Sequence, residues 1–134
     1  MSEKTNLDVI REAYAAFERG DIPAVLAVQD STAEIESPGP REIPWAGSYR
    51  GPEGAERYFG IAFDESEVET FETHTFVAQG DQVVVLGVER VRSKRTGRSY
   101  ETHWAHAITL AAGKIIKWRE YVDTAAAAAA FRLE

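Results

Sequence analysis

The stretch Tyr100–Asp123, YETHWAHAITLAAGKIIKWREYVD, decides how the rest of this chain is read. Bulky and β-branched residues alternate with smaller or polar ones on both sides of Ala112-Gly113-Lys114, which predicts two long strands joined by a tight turn. Trp104, His106, Ile108 and Leu110 share the bulkier face of the first strand, and Ala105, Ala107 and Thr109 share the thinner one. On the second strand Trp118, Glu120 and Val122 alternate with Lys117, Arg119 and Tyr121. Asp123-Thr124 caps an alanine-rich helix that ends near Leu133. Alanine is the best helix former, so the six-alanine run carries propensity and little recognition content.

Working outward, the strand period of two extends back to Asp64. Val68–Ala78 and Gln82–Lys94 read as strands around a Gly80-Asp81 turn, and the apolar run Val83–Leu86 suggests burial on both faces. Before them the period is helical. Ile10, Ala13, Tyr14 and Phe17 mark one face of a helix over Leu7–Arg19, and Ala55, Tyr58, Phe59 and Ala62 mark one face of a helix that starts at Gly51-Pro52. Asp21 caps a short second helix with Pro23 in its first turn. Ala33–Ser37 is a short strand, followed by a Pro- and Gly-rich loop that carries Trp45 and Tyr49. Helices first and a meander of antiparallel strands afterwards is an α+β pattern, a curved sheet wrapped around the N-terminal helices as a cone with an aromatic lining. No internal repeat or linker divides it, so residues 1–134 read as one domain.

Composition removes several function classes. The sequence has no cysteine, which excludes disulfides, thiolate metal sites and cysteine nucleophiles. Its net charge of −7 argues against a nucleic-acid partner, which wants a basic face. No apolar run approaches the ~20 residues of a membrane span. The charged start, MSEKTNLDVIREAY, lacks the apolar core of a signal peptide, so a soluble, cytoplasmic protein is expected. No Walker loop, GxSxG or dinucleotide fingerprint is present, and no cofactor is expected. His103 and His106, three apart, fall on opposite faces of a regular strand and cannot share a metal ion without a bulge, so no metal is expected either.

The motifs YAAFERGD (Tyr14–Asp21), PWAGSYRGPEG (Pro44–Gly54) and WAH…GKIIKWREYVDTAA from Trp104 resemble the SnoaL-like branch of the NTF2-like, ketosteroid isomerase-like superfamily over nearly the whole chain. The resemblance implies the cone fold and a homodimer, with the thin Ala105, Ala107 and Thr109 face covered by a second copy. Ketosteroid isomerases use a Tyr and two Asp. Those positions fall here on Ala13, Ser37 and near Ala105, so steroid isomerisation by that mechanism is not expected. TGRSY (Thr96–Tyr100) with GKIIKWREYVD is similar locally to the limonene-epoxide hydrolases. Arg90 and Asp123 match two of their catalytic positions, whereas Arg92, Ile35 and Ser37 replace the other three, so that hydrolysis is not expected either.

The residues assigned chemistry are Asp123, Glu120, Arg90 and His106. Arg90 lies mid-strand beside an apolar run, and an inward arginine demands a carboxylate, so Arg90, Glu120 and Asp123 are expected to form the polar centre of the cone. Each has a structural alternative: Asp123 as a helix cap, Glu120 paired to a neighbouring Arg, Arg90 on a solvated face. His106 points into the cone if the bulkier face is inside; the isomerase alignment puts Ala105 there instead, and the sequence leaves both open. Tyr14, Ser37, Trp45, Tyr49, Phe59, Arg92, Trp104 and Trp118 are the expected pocket lining. The functional expectation is a small apolar ligand, handled by an isomerase, cyclase or hydrolase through general acid–base chemistry or bound without turnover; a scaffold with a vestigial cavity is the third possibility.

Overall fold

Ala112 and Gly113 both adopt positive φ, 51° and 76°, and form the two-residue turn that joins β5 (Ser99–Ala111) to β6 (Lys114–Tyr121). The computed structural model describes residues 5–133. The first four residues of the charged N-terminal segment, and residue 134, lie outside it. Among the described residues the elements run α1 (Asn6–Glu18), α2 (Ile22–Ala27), β1 (Gln29–Ser37), β2 (Gly47–Arg50), α3 (Gly51–Glu65), β3 (Ser66–Gln79), β4 (Gln82–Ser93), β5, β6 and α4 (Thr124–Phe131). The strands make one curved six-stranded sheet in the order β2-β1-β6-β5-β4-β3. All neighbours are antiparallel except β1 and β6, which run parallel. That parallel pair, and β2 within the Pro- and Gly-rich segment read as loop, are the two features of the sheet absent from the sequence expectation.

Local chemistry accounts for the helix boundaries. Thr5 and Asp8 form a reciprocal capping box at the start of α1, with Oγ1 of Thr5 accepting from the Asp8 N–H at 3.1 Å and Oδ2 of Asp8 accepting from the Thr5 N–H at 3.3 Å. Asp21 accepts from the Ala24 N–H and starts α2. The alanine helix α4 is held by more than its propensity. Phe131 is 1 % exposed and packs edge-on against Trp45, which contributes about 2 kcal/mol.

Two apolar clusters form between sheet and helices. One gathers Ile35, Trp45, Tyr49, Tyr58 and Phe131 near α3 and α4; the other gathers Ile10, Val85, Trp104, Ile108 and Leu110 under α1. Trp118 packs against both. No helix among the described residues is long and apolar enough to cross a membrane.

Strand parity decides what faces this interior. On β5 the even residues Tyr100 through Leu110 are buried, so the bulkier face is inside and Ala105 lies on the outer one. On β4 Val83, Val85, Val91 and Ser93 are buried, which turns Glu89 inward and Arg90 outward. The inward Arg90 of the sequence reading is therefore corrected. Its Nε meets Glu69 on the neighbouring strand at 3.2 Å, on the solvated side, and the pair stabilises by well under 1 kcal/mol. Arg92, expected in the pocket, likewise pairs with Glu67 at 2.6 Å on the outer face.

Gly87 sits where the indole of Trp104 crosses β4. A Cβ there would come within 2.3 Å of that ring and 2.1 Å of the Glu72 carbonyl oxygen, and neither rigid group can yield. Gly87→Ala is expected to lower stability by about 3 kcal/mol in urea denaturation. A loss below ~1 kcal/mol would mean that the indole moves aside freely.

Candidate functional site

A cavity of about 130 Å³ lies between the two clusters. Its wall is mostly apolar, with Ile35, Phe59, Val91, Trp118 and Val122 among the lining side chains. Phe17, Phe63, Val68 and Phe71 line both the cavity and a shallow groove on the surface, which makes this the side on which the cavity approaches solvent. The rings there are mutually packed, Phe17 against Phe71 at 4.9 Å and against Phe63 at 6.3 Å.

The polar groups of the cavity come from the inward positions of β1, β4, β5 and β6. Glu120 on β6 is buried; its Oε1 accepts from the Ser37 hydroxyl, and its Oε2 from the Tyr58 hydroxyl at 3.4 Å. Burial pushes its pKa above the ordinary carboxylate range, and the donors from Ser37 and Tyr58 oppose that shift by favouring the charged form. Glu89 on β4 lines the same cavity. Although part of it stays accessible along the cavity wall, burial, and secondarily the charge of Glu120, push its carboxyl up to about 8. No donor opposes this, so near neutral pH Glu89 holds its proton.

His106 on β5 completes the group. Its ring is stacked on Trp104 at 4.2 Å and buried, and burial lowers its pKa to about 3, outweighing the carboxylate of Glu120, whose Oε2 stands 4.0 Å from Nε2. His106 is thus a neutral imidazole. Its tautomer follows from its neighbours. Trp118 Nε1–H can only donate, and it points at the Tyr14 hydroxyl at 3.4 Å. Tyr14 then donates its own proton to Nδ1 of His106, 2.5 Å away. The remaining His106 proton sits on Nε2, facing Glu120. A directed chain of Trp118, Tyr14 and His106 thereby ends in an N–H that faces the Glu120 carboxyl group from 4.0 Å.

Glu120, His106, Tyr14, Ser37, Trp45, Phe59 and Trp118 line one cavity. Asp123 does not join them. It is exposed and caps α4, its Oδ1 accepting from the Ala126 N–H at 3.0 Å. The expected Arg90–Glu120–Asp123 centre does not exist, because two of its members face solvent. Those two were also the positions that matched catalytic residues of the limonene-epoxide hydrolases. Tyr49 and Trp104 are buried behind the wall. Tyr49 donates to the Trp45 carbonyl at 2.8 Å and packs on Tyr58, and Trp104 backs His106 and Phe71. The sequence reading missed Glu89, although counting by twos from Val83 and Val85 reaches it, and missed the hydroxyl of Tyr58, read only as part of a helix face. Among the described residues no three His, Asp or Glu side chains converge as a metal site would require.

Glu89 ties stability to pH. Its folded pKa, about 8, lies above the unfolded value of 4.5, so the fold favours its protonated form, and stability falls as pH rises from 4.5 to 8. Glu89→Gln keeps the shape and removes the proton equilibrium. It is expected to be nearly neutral at pH 5 and to stabilise by roughly 3 kcal/mol at pH 9, read from denaturant midpoints at the two pH values. An equal effect at both would mean that the carboxyl titrates in solvent.

Comparisons with known proteins agree with this fold. A solved NTF2-like protein of Burkholderia xenovorans LB400 is 36 % identical and superposes with a TM-score of 0.86, covering 98 % of this chain and 99 % of that one. TerC, crystallised with polyporic acid, is 25 % identical with a TM-score of 0.81, over 94 % and 97 % of the two chains. An uncharacterised protein of Mycobacterium tuberculosis strain H37Rv is 28 % identical across 94 % of this chain and 95 % of its own. The profile of the SnoaL-like domain matches residues 10–118, and the chain belongs to that family.

Proposed function

We propose that the chain is an enzyme that binds a small, largely apolar molecule in the cavity and moves a proton on it at a carbon beside a carbonyl group. The observation that carries this reading is the pair Glu120 and Glu89, two carboxyl groups in one apolar cavity with unlike surroundings. Glu120 receives donors from Ser37 and Tyr58, which favour its charged form; Glu89 receives none and keeps its proton. Environments that separate two carboxyl groups in this way divide the roles of base and acid between them. Glu120 takes the C–H proton, and the Glu89 O–H donates a hydrogen bond to the carbonyl oxygen, where negative charge collects in the enolate. Glu120 then returns the proton to the same carbon or a conjugated one. The proton taken is the proton given back, so an isomerisation of this kind balances without a co-reactant. That TerC was crystallised with polyporic acid supports a small organic ligand for this fold.

Small cyclic β,γ-unsaturated ketones, converted to their conjugated isomers, provide the assay. The rate is expected to follow a bell in pH: the acid limb comes from Glu120, above its ordinary carboxylate value, and the alkaline limb falls near pH 8 as Glu89 ionises. Glu120→Gln is expected to lose at least ~100-fold in kcat/KM. Glu89→Gln still donates a hydrogen bond, so it should keep more activity and lose the alkaline limb. Ligand binding with no turnover, or turnover that survives Glu120→Gln, would reduce the chain to a binding protein.

We also infer a homodimer through the outer face of the sheet. Val77, Val84 and Ala107 form one row across three strands there, and Leu86, Ala105 and Tyr121 form the next. Val77 and Tyr121 are each 51 % exposed and Leu86 40 %. Such a patch on a long sheet favours coverage by a like surface. Light scattering at micromolar concentration is expected to give twice the monomer mass, and Leu86→Glu to shift it toward the monomer. A monomer at every concentration would remove this inference.

A further inference from the structure

Gln29, the first residue of β1, lines the cavity, and its side-chain oxygen Oε1 is buried without a hydrogen-bond partner. Among the described residues one other buried side-chain atom shares that condition, Nε1 of Trp104, and it lies behind His106 and off the cavity wall. Buried carbonyl oxygens are nearly always paired, because leaving one without a donor forfeits its hydration for nothing. Elsewhere on the wall Tyr14 pairs with His106 and Trp118, and Ser37 and Tyr58 pair with Glu120, while Glu89, which has no donor, keeps its proton and stays partly accessible along the cavity. Among the described residues Gln29 presents the one fully buried acceptor on this wall that the protein leaves unmatched.

Its position is informative. Gln29 pairs with Ile115, five residues before Glu120 on β6, which is about 16 Å of strand. The orphaned acceptor and the carboxylate therefore lie toward opposite ends of the cavity, with apolar side chains such as Val25, Ile115 and Trp118 in the wall. We propose that Gln29 is a specificity-determining residue that accepts a hydrogen bond from a hydroxyl group of the ligand. The ligand class is then a hydroxylated ring compound, with its O–H at the Gln29 end and an apolar body between that group and the end near Glu120. Naming the Glu120 end as the reacting one rests on the proton-transfer reading above; the contact at Gln29 does not.

Binding alone tests it, so a failure here is separable from a failure of catalysis. The probes are p-cresol, p-xylene and 4-methylanisole, read by chemical-shift titration on the folded protein. p-Cresol donates and accepts, 4-methylanisole only accepts, and p-xylene does neither. The wild type is expected to prefer p-cresol to p-xylene by at least tenfold, with 4-methylanisole close to p-xylene. Gln29→Leu should abolish about tenfold of that preference while p-xylene affinity holds or rises. Its melting temperature should not fall, since the unmatched oxygen is gone. An unchanged preference in Gln29→Leu would overturn the proposal, because the cresol hydroxyl would then be read at the carboxyl groups. So would 4-methylanisole binding as well as p-cresol, which would mean that the amide offers an N–H. Equal loss of p-cresol and p-xylene in the variant would make Gln29 a structural residue only and overturn it as well.

Discussion

The hydrogen-bonded register of β4, β5 and β6 holds this site together. It pairs Val85 with His106 and His106 with Glu120, so the imidazole and the carboxylate share a row of the sheet and a face of it. A slip of one residue in any of these strands would send the polar groups to solvent and bring Arg90 or Arg119 inside. The slip is resisted by the same inward set. Trp104, Ile108 and Leu110 are each 3 % exposed or less, and all three would be turned outward with it. The apolar core and the placement of the carboxyl groups are thus one constraint.

Much of this was legible in the hairpin Tyr100–Asp123. Bulk alternates with smallness there at nearly every position, so the inward face follows, and His106, Trp118 and Glu120 follow with it. β4 was harder. Four consecutive apolar residues, Val83 to Leu86, erase the alternation, and without a parity Arg90 looks as central as Glu89. Leu86 is in fact 40 % exposed, and the run stands out because the outer face is itself apolar. Asp123 was read as both cap and cavity group, and only the cap is realised, since the chain leaves the sheet before that residue. The orphaned oxygen of Gln29 had no signal in the sequence. Whether a buried amide finds a donor depends on partners brought from other elements, which no local pattern encodes.

The chemistry of the cavity depends on what stands behind it. His106 is gripped between Trp104 at 4.2 Å and Trp118 at 4.5 Å, and Tyr14 sits edge-on to Phe76. These rings exclude water from the imidazole and so keep it neutral. They also hold its N–H toward Glu120, the kind of support that keeps a reacting group within a fraction of an ångström of its working position. The surface ion pairs of Arg90, Arg92 and Arg95 make no such contribution. Their partners lie on the outer face of β3 or at the end of α3, where water screens them.

The parallel strand β1 has a consequence for how the chain is assembled. Ser37 and Glu120, joined by a hydrogen bond, stand 83 residues apart in sequence, and β1 has no partner toward the middle of the sheet until β6 exists. Contacts that span so much chain must close a long loop before they return any free energy, which slows folding. On a ribosome the elements from α1 to α3 emerge first, and the edge of β1 that will meet β6 stays unpaired while β3 to β5 pair locally as hairpins. The cavity therefore closes last, when β6 and α4 arrive.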